Sequence, residues 1–297
     1  MKISEIFKTK TVFSFEVFPP KTTSSVNSVY DTLAELRDLS PDFISVTYGT
    51  AGGKNNTETF KIASAIKNNG IESAAHLTCL GMTKADILEK LDELKRIGVE
   101  NILALRGDLP TDGSEVPKGD FEYASDLISF IKQNGDFDVS GACYPEGHIE
   151  ASSKAEDILN LRKKVDAGAD HLISQLFFDN SCFYSFLERC QIAGINVPIE
   201  AGIMPVTNRK QIERMVSLCG ATLPTKFLKI MERYENNPIA MRDAGIAYAV
   251  DQIVDLITQG VDGIHLYVMN NSYVGRRIYT SVNSLMTINP PITISPR

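Results

Sequence analysis

One pattern recurs eight times along the chain and restricts the architectures open to it: a short β-branched or aromatic run, a polar turn, then a stretch of helical spacing. The runs are Val12 to Phe18, Phe43 to Tyr48, Ser73 to Cys79, Asn101 to Arg106, Asp138 to Tyr144, His171 to Phe178, Pro198 to Met204 and Gly263 to Met269. Each is mostly apolar without strict alternation, as parallel strands covered on both faces read. Between runs, SVYDTLAELRDL, TETFKIASAIKNNG, TKADILEKLDELKRIG, YASDLISFIKQNG and KAEDILNLRKKVDAG place apolar residues at three- and four-residue intervals. Gly70, Gly98, Gly135 and Gly168 stand where helix C-caps are expected, and Thr83 where an N-cap is.

Eight such units in 297 residues predict an α/β chain folded as a (β/α)8 TIM barrel. A doubly wound sheet would bring a glycine-rich first turn, but the first run is followed by FPPKTTSS, and GxGxxG, GxxxxGK[ST] and HExxH are all absent. Dinucleotide-binding domains of that kind, P-loop enzymes and zincins are thereby excluded. Phe227 to Gly260 is long enough for two helices around Asn237-Pro238, which predicts an extra helix before the last strand. No linker interrupts the pattern, so residues 1–297 read as a single domain.

An apolar content of 43% suffices for a large core, and a net charge of −7 gives no general attraction to phosphate backbones or anionic lipid. Nucleic acid and membrane are therefore not expected partners, and any anionic ligand must meet a local cluster of cations. Lys8, Lys10 and Glu16 break up the N-terminal apolar runs before one could act as a signal core, which predicts a soluble, cytoplasmic protein. Cys79, Cys143, Cys182, Cys190 and Cys219 form an odd set without a CxxC pair and read as reduced thiols.

Barrel chemistry collects where strands end and loops begin. Those ends carry Glu16; Thr47 and Tyr48; His76 and Thr78; Arg106, Gly107 and Asp108; Tyr144, Glu146 and His148; Gln175; and Tyr267 and Asn270. Glu16 stands between Phe15 and Val17, and desolvation by apolar neighbours would favour its neutral form, making it a candidate general acid. An outward-facing Glu paired with a helix Lys is the plain alternative. Arg106-Gly107-Asp108 opens a long loop suited to a lid, with a cationic fork, a close-approach glycine and a carboxylate able to accept two hydrogen bonds; an ordinary solvated turn reads equally well. Asp157, Asn160 and Lys164, at i, i+3 and i+7, share one helix face, either ligand-binding or merely solvated. His76 and His148 have no partners at metal-ligand spacing, so no metal is expected. His171 and His265 read as hydrogen-bonded core residues, and no GxSxG elbow suggests acyl transfer.

The ordered motifs FSFEVFPPKT, FISVTYGTAGG, AAHLTC, ILALRGDLP, YASDLI, CYPEGH, DILNLRKKVDAGAD, SQLFFD, GIMPVTN and HLYVMN span nearly the whole chain. Together they resemble the bacterial 5,10-methylenetetrahydrofolate reductases. The resemblance implies a barrel holding FAD noncovalently, which takes hydride from NADH or NADPH and passes it to methylenetetrahydrofolate in a ping-pong cycle. The product would be 5-methyltetrahydrofolate, feeding methionine synthesis, and the family suggests a homo-oligomer, dimer or tetramer. Glu16 would be the acid that protonates the folate N10 side and opens the imidazolidine ring to a 5-iminium cation. Asp108 would sit between flavin and pterin, Gln175 would bind the pterin, and Tyr267 would belong to the substrate face. Thr47, Tyr48, His76, Arg106, Gly107, Asp108, Tyr123, Ala124, Tyr144, His148, Asp157, Asn160 and Lys164 fall on the family's FAD contacts.

Two positions depart from the family pattern. Asn270 is followed by Asn271 where Arg is common, and Arg209 stands where an aromatic follows the Asn of GIMPVTN. Arg209, Arg276 or Arg277 are therefore candidates for a substituted cation toward the folate tail. Rival readings are another FAD-binding barrel oxidoreductase of the proline-dehydrogenase kind and a pterin-binding subunit without redox chemistry.

Overall fold

Eight parallel strands close on themselves in chain order: β1 (Val12–Val17), β2 (Phe43–Val46), β3 (Glu72–Thr78), β4 (Asn101–Leu105), β5 (Asp138–Cys143), β6 (His171–Ser174), β7 (Ile199–Ile203) and β8 (Gly263–Tyr267). Pairing of β1 with β8 completes the barrel, with Ser14 opposite His265 and Glu16 opposite Tyr267. The computed structural model describes residues 1–20, 26–48, 56–110, 113 and 115–286. Lys21 and Thr22 of the first motif, Gly49–Gly53 of the second and Thr111, Asp112 and Ser114 of the loop after β4 lie outside the described residues.

The helices are α1 (Ile3–Ile6), α2 (Val26–Arg37), α3 (Asn56–Asn68), α4 (Lys84–Arg96), α5 (Ala124–Asn134), α6 (Lys154–Asp166), α7 (Asn180–Ile192), α8 (Arg209–Cys219), α9 (Thr225–Tyr234), α10 (Pro238–Thr258) and α11 (Ser272–Met286). Thr83 caps α4 through a reciprocal box with Asp86, and Asn237 caps α10 ahead of Pro238, giving the extra helix expected before β8. Gly70, Gly98 and Gly168 adopt the left-handed φ that ends a helix. Gly135 does not: its φ of −178° is extended backbone, and α5 leaves directly into the turn before β5. Among the described residues no helix is long and apolar enough to cross a membrane.

Period-two alternation sorts each strand into two faces. On β1, Phe13, Phe15 and Val17 join the main core, which also takes Val29 and Leu33 of α2 and Ile278 and Val282 of α11. The intervening Val12, Ser14 and Glu16 belong to the barrel interior. Its base is filled by Val12, Phe43, Ala74, Leu103 and Ile173 together with Ile3 and Phe7 from the N-terminal segment. That segment is pinned by Asn101 Oδ1 accepting the Ile3 N–H at 3.0 Å and Asp138 Oδ2 accepting the Ser4 N–H at 2.9 Å. Phe7 lies 5.2 Å, ring to ring, from His171, which in turn faces Asp138 at 3.4 Å. His171 is thus a core residue, as read from the sequence, although neither ring nitrogen makes the hydrogen bond expected there. Burial alone would raise Asp138, but His171 and the Ser4 N–H outweigh it and hold the carboxyl below its usual range.

Candidate active site

With the base filled, the open space lies at the carboxy ends of the strands. Glu16, Thr47, His76, Thr78, Tyr144, Gln175 and Tyr267 share one cavity of about 680 Å³. Tyr48, Arg106, Gly107 and Asp108 complete its polar wall, while Leu80, Met82, Met204, Met215 and Met269 make the apolar side. A second cavity of about 420 Å³ is lined by Tyr123, Ala124, Asp157, Asn160 and Lys164. Arg106, Tyr144 and His148 line both, so the two spaces adjoin. Every residue the resemblance assigns to FAD or substrate lines one cavity or the other, whereas Glu146 and Asn270, also at strand ends, line neither.

Glu16 differs from expectation in its surroundings. Phe15 and Val17 point outward into the helix layer, because neighbours along a strand face opposite ways. Glu16 itself points inward, 19% exposed, with its Oε2 3.5 Å from His76 Nε2 and 3.6 Å from His265 Nε2. The carboxyl is framed by imidazoles rather than sealed in hydrocarbon. Burial brings the His76 imidazole down to about 4, so it is neutral near pH 7. His76 Nε2 and the Tyr48 hydroxyl are buried without hydrogen-bond partners.

Gln175 and Tyr267 are fixed by backbone contacts. The Gln175 side-chain carbonyl accepts the Leu176 N–H at 3.0 Å, and the Tyr267 hydroxyl donates to Ser174 O at 2.8 Å. Asn270, in the left-handed region at φ 53°, accepts the Phe18 N–H at 3.0 Å and donates to Phe18 O at 2.9 Å. The strand end bearing Glu16 is thereby tied to the loop after β8.

The second cavity is lined by the cations Arg106, Lys163 and Lys164 and by the carboxylates Glu150, Glu156 and Asp157. Lys164 Nζ donates to Ala142 O at 2.7 Å and lies 5.8 Å from the Tyr144 ring centre; burial lowers its ammonium pKa. Asp157, on the same face of α6, is 8% exposed and burial raises its carboxyl. The face predicted from i, i+3, i+7 spacing therefore does turn toward a cavity. Arg106 donates to both oxygens of Glu150, a residue the sequence reading did not single out. The proposed substitute cations are engaged elsewhere: Arg209 with Glu213 and Glu235, Arg276 with Glu35 O, and Arg277 with the Tyr273 hydroxyl. None of the three lines either cavity.

Residues 2–283 match the family described as methylenetetrahydrofolate reductase. The chain belongs to that family. Its relatives in the methylenetetrahydrofolate reductase family include the 5,10-methylenetetrahydrofolate reductase of Escherichia coli K12, 38% identical over 260 residues, which are 87% of this chain and 86% of that one. The Arabidopsis thaliana methylenetetrahydrofolate reductase (NADH) 1 is 38% identical over 275 residues, 88% of this chain but 46% of the plant protein. A Clostridium thermocellum protein described as binding two copies of 5-methyl-5,6,7,8-tetrahydrofolic acid shares the fold, with a TM-score of 0.66 at 13% identity, covering 96% of this chain and 98% of that one. Methylenetetrahydrofolate reductases are oxidoreductases of folate one-carbon metabolism, and the site described above is the only strand-end opening among the described residues to gather Glu16, Gln175 and Tyr267.

Proposed function

We propose that the chain reduces 5,10-methylenetetrahydrofolate to 5-methyltetrahydrofolate, using noncovalently bound FAD and NADH or NADPH as hydride donor. The observation that carries this reading is the placement of Glu16 in the same cavity as Tyr48, His76, Arg106 and Asp108. A cavity continued sideways into a cation-bearing annex suits a long, anionic, ring-ended ligand. Bound FAD would supply a two-electron carrier between nicotinamide and folate.

Thr47, Tyr48, His76, Arg106, Gly107, Asp108, Tyr123, Ala124, Tyr144, His148, Asp157, Asn160 and Lys164 would hold that cofactor. The unpartnered Tyr48 hydroxyl and His76 Nε2 are polar atoms in search of a ligand, which supports the fit. Arg106 and Lys164 provide charge for phosphate oxygens. Gly107 adopts a φ of 96°, which favours glycine, and a Cβ built there would stand 3.3 Å from Thr78 Cβ, so a side chain would be crowded at this wall.

Glu16 would give its proton to N10 of the folate. A ring nitrogen leaves poorly until protonated, so this step opens the imidazolidine ring and makes its one-carbon unit electrophilic. Asp108, exposed at the rim, would accept hydrogen bonds from the pterin edge, with Gln175 and Tyr267 of the same cavity as further substrate contacts. The decisive experiment is spectroscopic. The purified protein should be yellow, bleach with NADH or NADPH and regain colour with methylenetetrahydrofolate. A colourless protein that gains no absorbance with added FAD, or one reoxidised by no folate, would defeat the proposal.

A further inference from the structure

Below the rim, three buried polar side chains lead from the middle of the barrel to Glu16. Glu200 on β7, Ser14 on β1 and His265 on β8 are each 0% exposed. Glu200 Oε1 lies 2.9 Å from Ser14 Oγ, Ser14 Oγ lies 2.6 Å from His265 Nδ1, and His265 Nε2 lies 3.6 Å from Glu16 Oε2. Space for Glu200 is left by Gly263, its register partner on β8, where a Cβ would stand 2.8 Å from Glu200 Cγ. Glu200 Oε2 has no partner.

The direction of this row follows from counting protons. Burial holds the Glu200 carboxyl well above its usual range; the Ser14 bond opposes that, and the Asp42 and Asp262 carboxylates reinforce it. Fully buried and paired with no Lys, Arg or His among the described residues, Glu200 is taken as the neutral acid, with one proton. On Oε2 that proton would have no acceptor. On Oε1 it donates to Ser14 Oγ. Serine has a single hydroxyl hydrogen, which then goes to His265 Nδ1 at 2.6 Å rather than to the more distant Ile264 O at 3.5 Å. A neutral imidazole accepting at Nδ1 has its hydrogen on Nε2, the atom turned to Glu16.

We propose that Glu200, acting through Ser14, is a positioning residue that fixes His265 as the Nε2–H tautomer, so that Glu16 faces a hydrogen-bond donor. The inference rests on the reading of Glu16 as proton donor. Once Glu16 has passed its proton to the folate nitrogen, the carboxylate left behind meets a donor already in place, whereas the other tautomer would set a lone pair against it. No proton travels along the row. The gap of 3.6 Å is longer than a hydrogen bond, as such contacts are before substrate draws them together. The titratable groups facing Glu16 are His265 and Tyr267 on β8 and the neutral His76 on β3.

Two-dimensional 1H–15N spectra of histidine-labelled protein, with His265 assigned through His265→Gln, read the tautomer directly. The proton is expected on Nε2 in the wild type and in Glu200→Gln, whose amide N–H replaces the carboxyl O–H as donor to Ser14. Glu200→Met should lose that preference. A bare Nε2 in the wild type overturns the proposal. In single-turnover kinetics, Glu200→Met and Ser14→Ala should each slow the folate half-reaction about tenfold, the effect of one hydrogen bond. The nucleotide half-reaction should be untouched, the double variant no slower than either single one, and Glu200→Gln should keep the wild-type rate. Full folate rates in both Glu200→Met and Ser14→Ala, with Glu16→Gln still blocked, overturn the proposal. A normal folate half-reaction in Glu16→Gln overturns instead the reading of Glu16, a result on which the tautomer measurement does not depend.

Discussion

Arg106 and Glu150 meet in a two-point ion pair at the wall shared by the cavities, with guanidinium–carboxylate distances of 2.6 and 2.7 Å. The hydrogen bonds hold Glu150 below its usual range and Arg106 above its own. Because the pair is partly exposed, it is worth at most about 1 kcal/mol, yet it occupies the cation offered to an anionic ligand. Glu150→Gln is expected to tighten FAD binding by the apoprotein about fivefold, read by flavin fluorescence quenching. Weaker binding would mean that Glu150 holds Arg106 in the orientation the cofactor needs.

Glu16→Gln tests the acid. Bleaching of the bound flavin by nucleotide should proceed at close to the wild-type rate, and reoxidation by methylenetetrahydrofolate should fall by at least about a hundredfold, the scale of general-acid contributions. Stopped-flow absorbance separates the two steps. Equal loss in both would assign Glu16 to cofactor geometry.

His76 makes stability depend on acidity. Its imidazole is held near 4 by burial, against about 6.5 in an unfolded chain. Between those values the unfolded state binds the extra proton, so stability falls as the pH drops from 6.5 towards 4 and is intact above that window. Glu200, raised by burial, acts in the opposite sense above its ordinary range, so the comparison must be between wild type and His76→Gln. Urea denaturation should show a shallower decline in the variant, by up to about 1.4 kcal/mol per pH unit. Parallel curves would show that His76 takes up its proton in the folded state.

Asn270→Ala should loosen the end of β1. It removes two hydrogen bonds to Phe18 and leaves a residue with a Cβ at φ 53° without the local bonding that suits asparagine there. The expected loss is about 2–3 kcal/mol in chemical denaturation, with the folate half-reaction slowed more than the nucleotide one. Unchanged stability would show that the two loops are held together by other contacts.

The strands were legible because a parallel strand covered on both faces is written as an apolar run. Their ends were overread: Tyr48, Arg106, Gln175, Leu176 and Phe178 continue the run after the ladder has stopped, because these residues line the cavity or join the apolar cluster with α8–α10. The site ring was legible because its members sit at those ends. The row behind Glu16 was not. Ser14 and Glu200 are 186 positions apart and Ser14 and His265 are 251 apart, brought together only by barrel closure. Nothing in VPIEAGI marks Glu200 as the one carboxyl that Gly263 makes room for. Gly135 does stand at the C-cap of α5, but in extended rather than left-handed backbone, because a glycine after a helical run fits either exit.

Ile3 and Phe7 stopper the far end of the cylinder. Among the described residues that end is sealed, so nothing passes straight through. Under the proposed function, nicotinamide and folate would queue at the same threshold, each leaving before the next arrives, with the N-terminal segment and the strand residues above it shutting the far end.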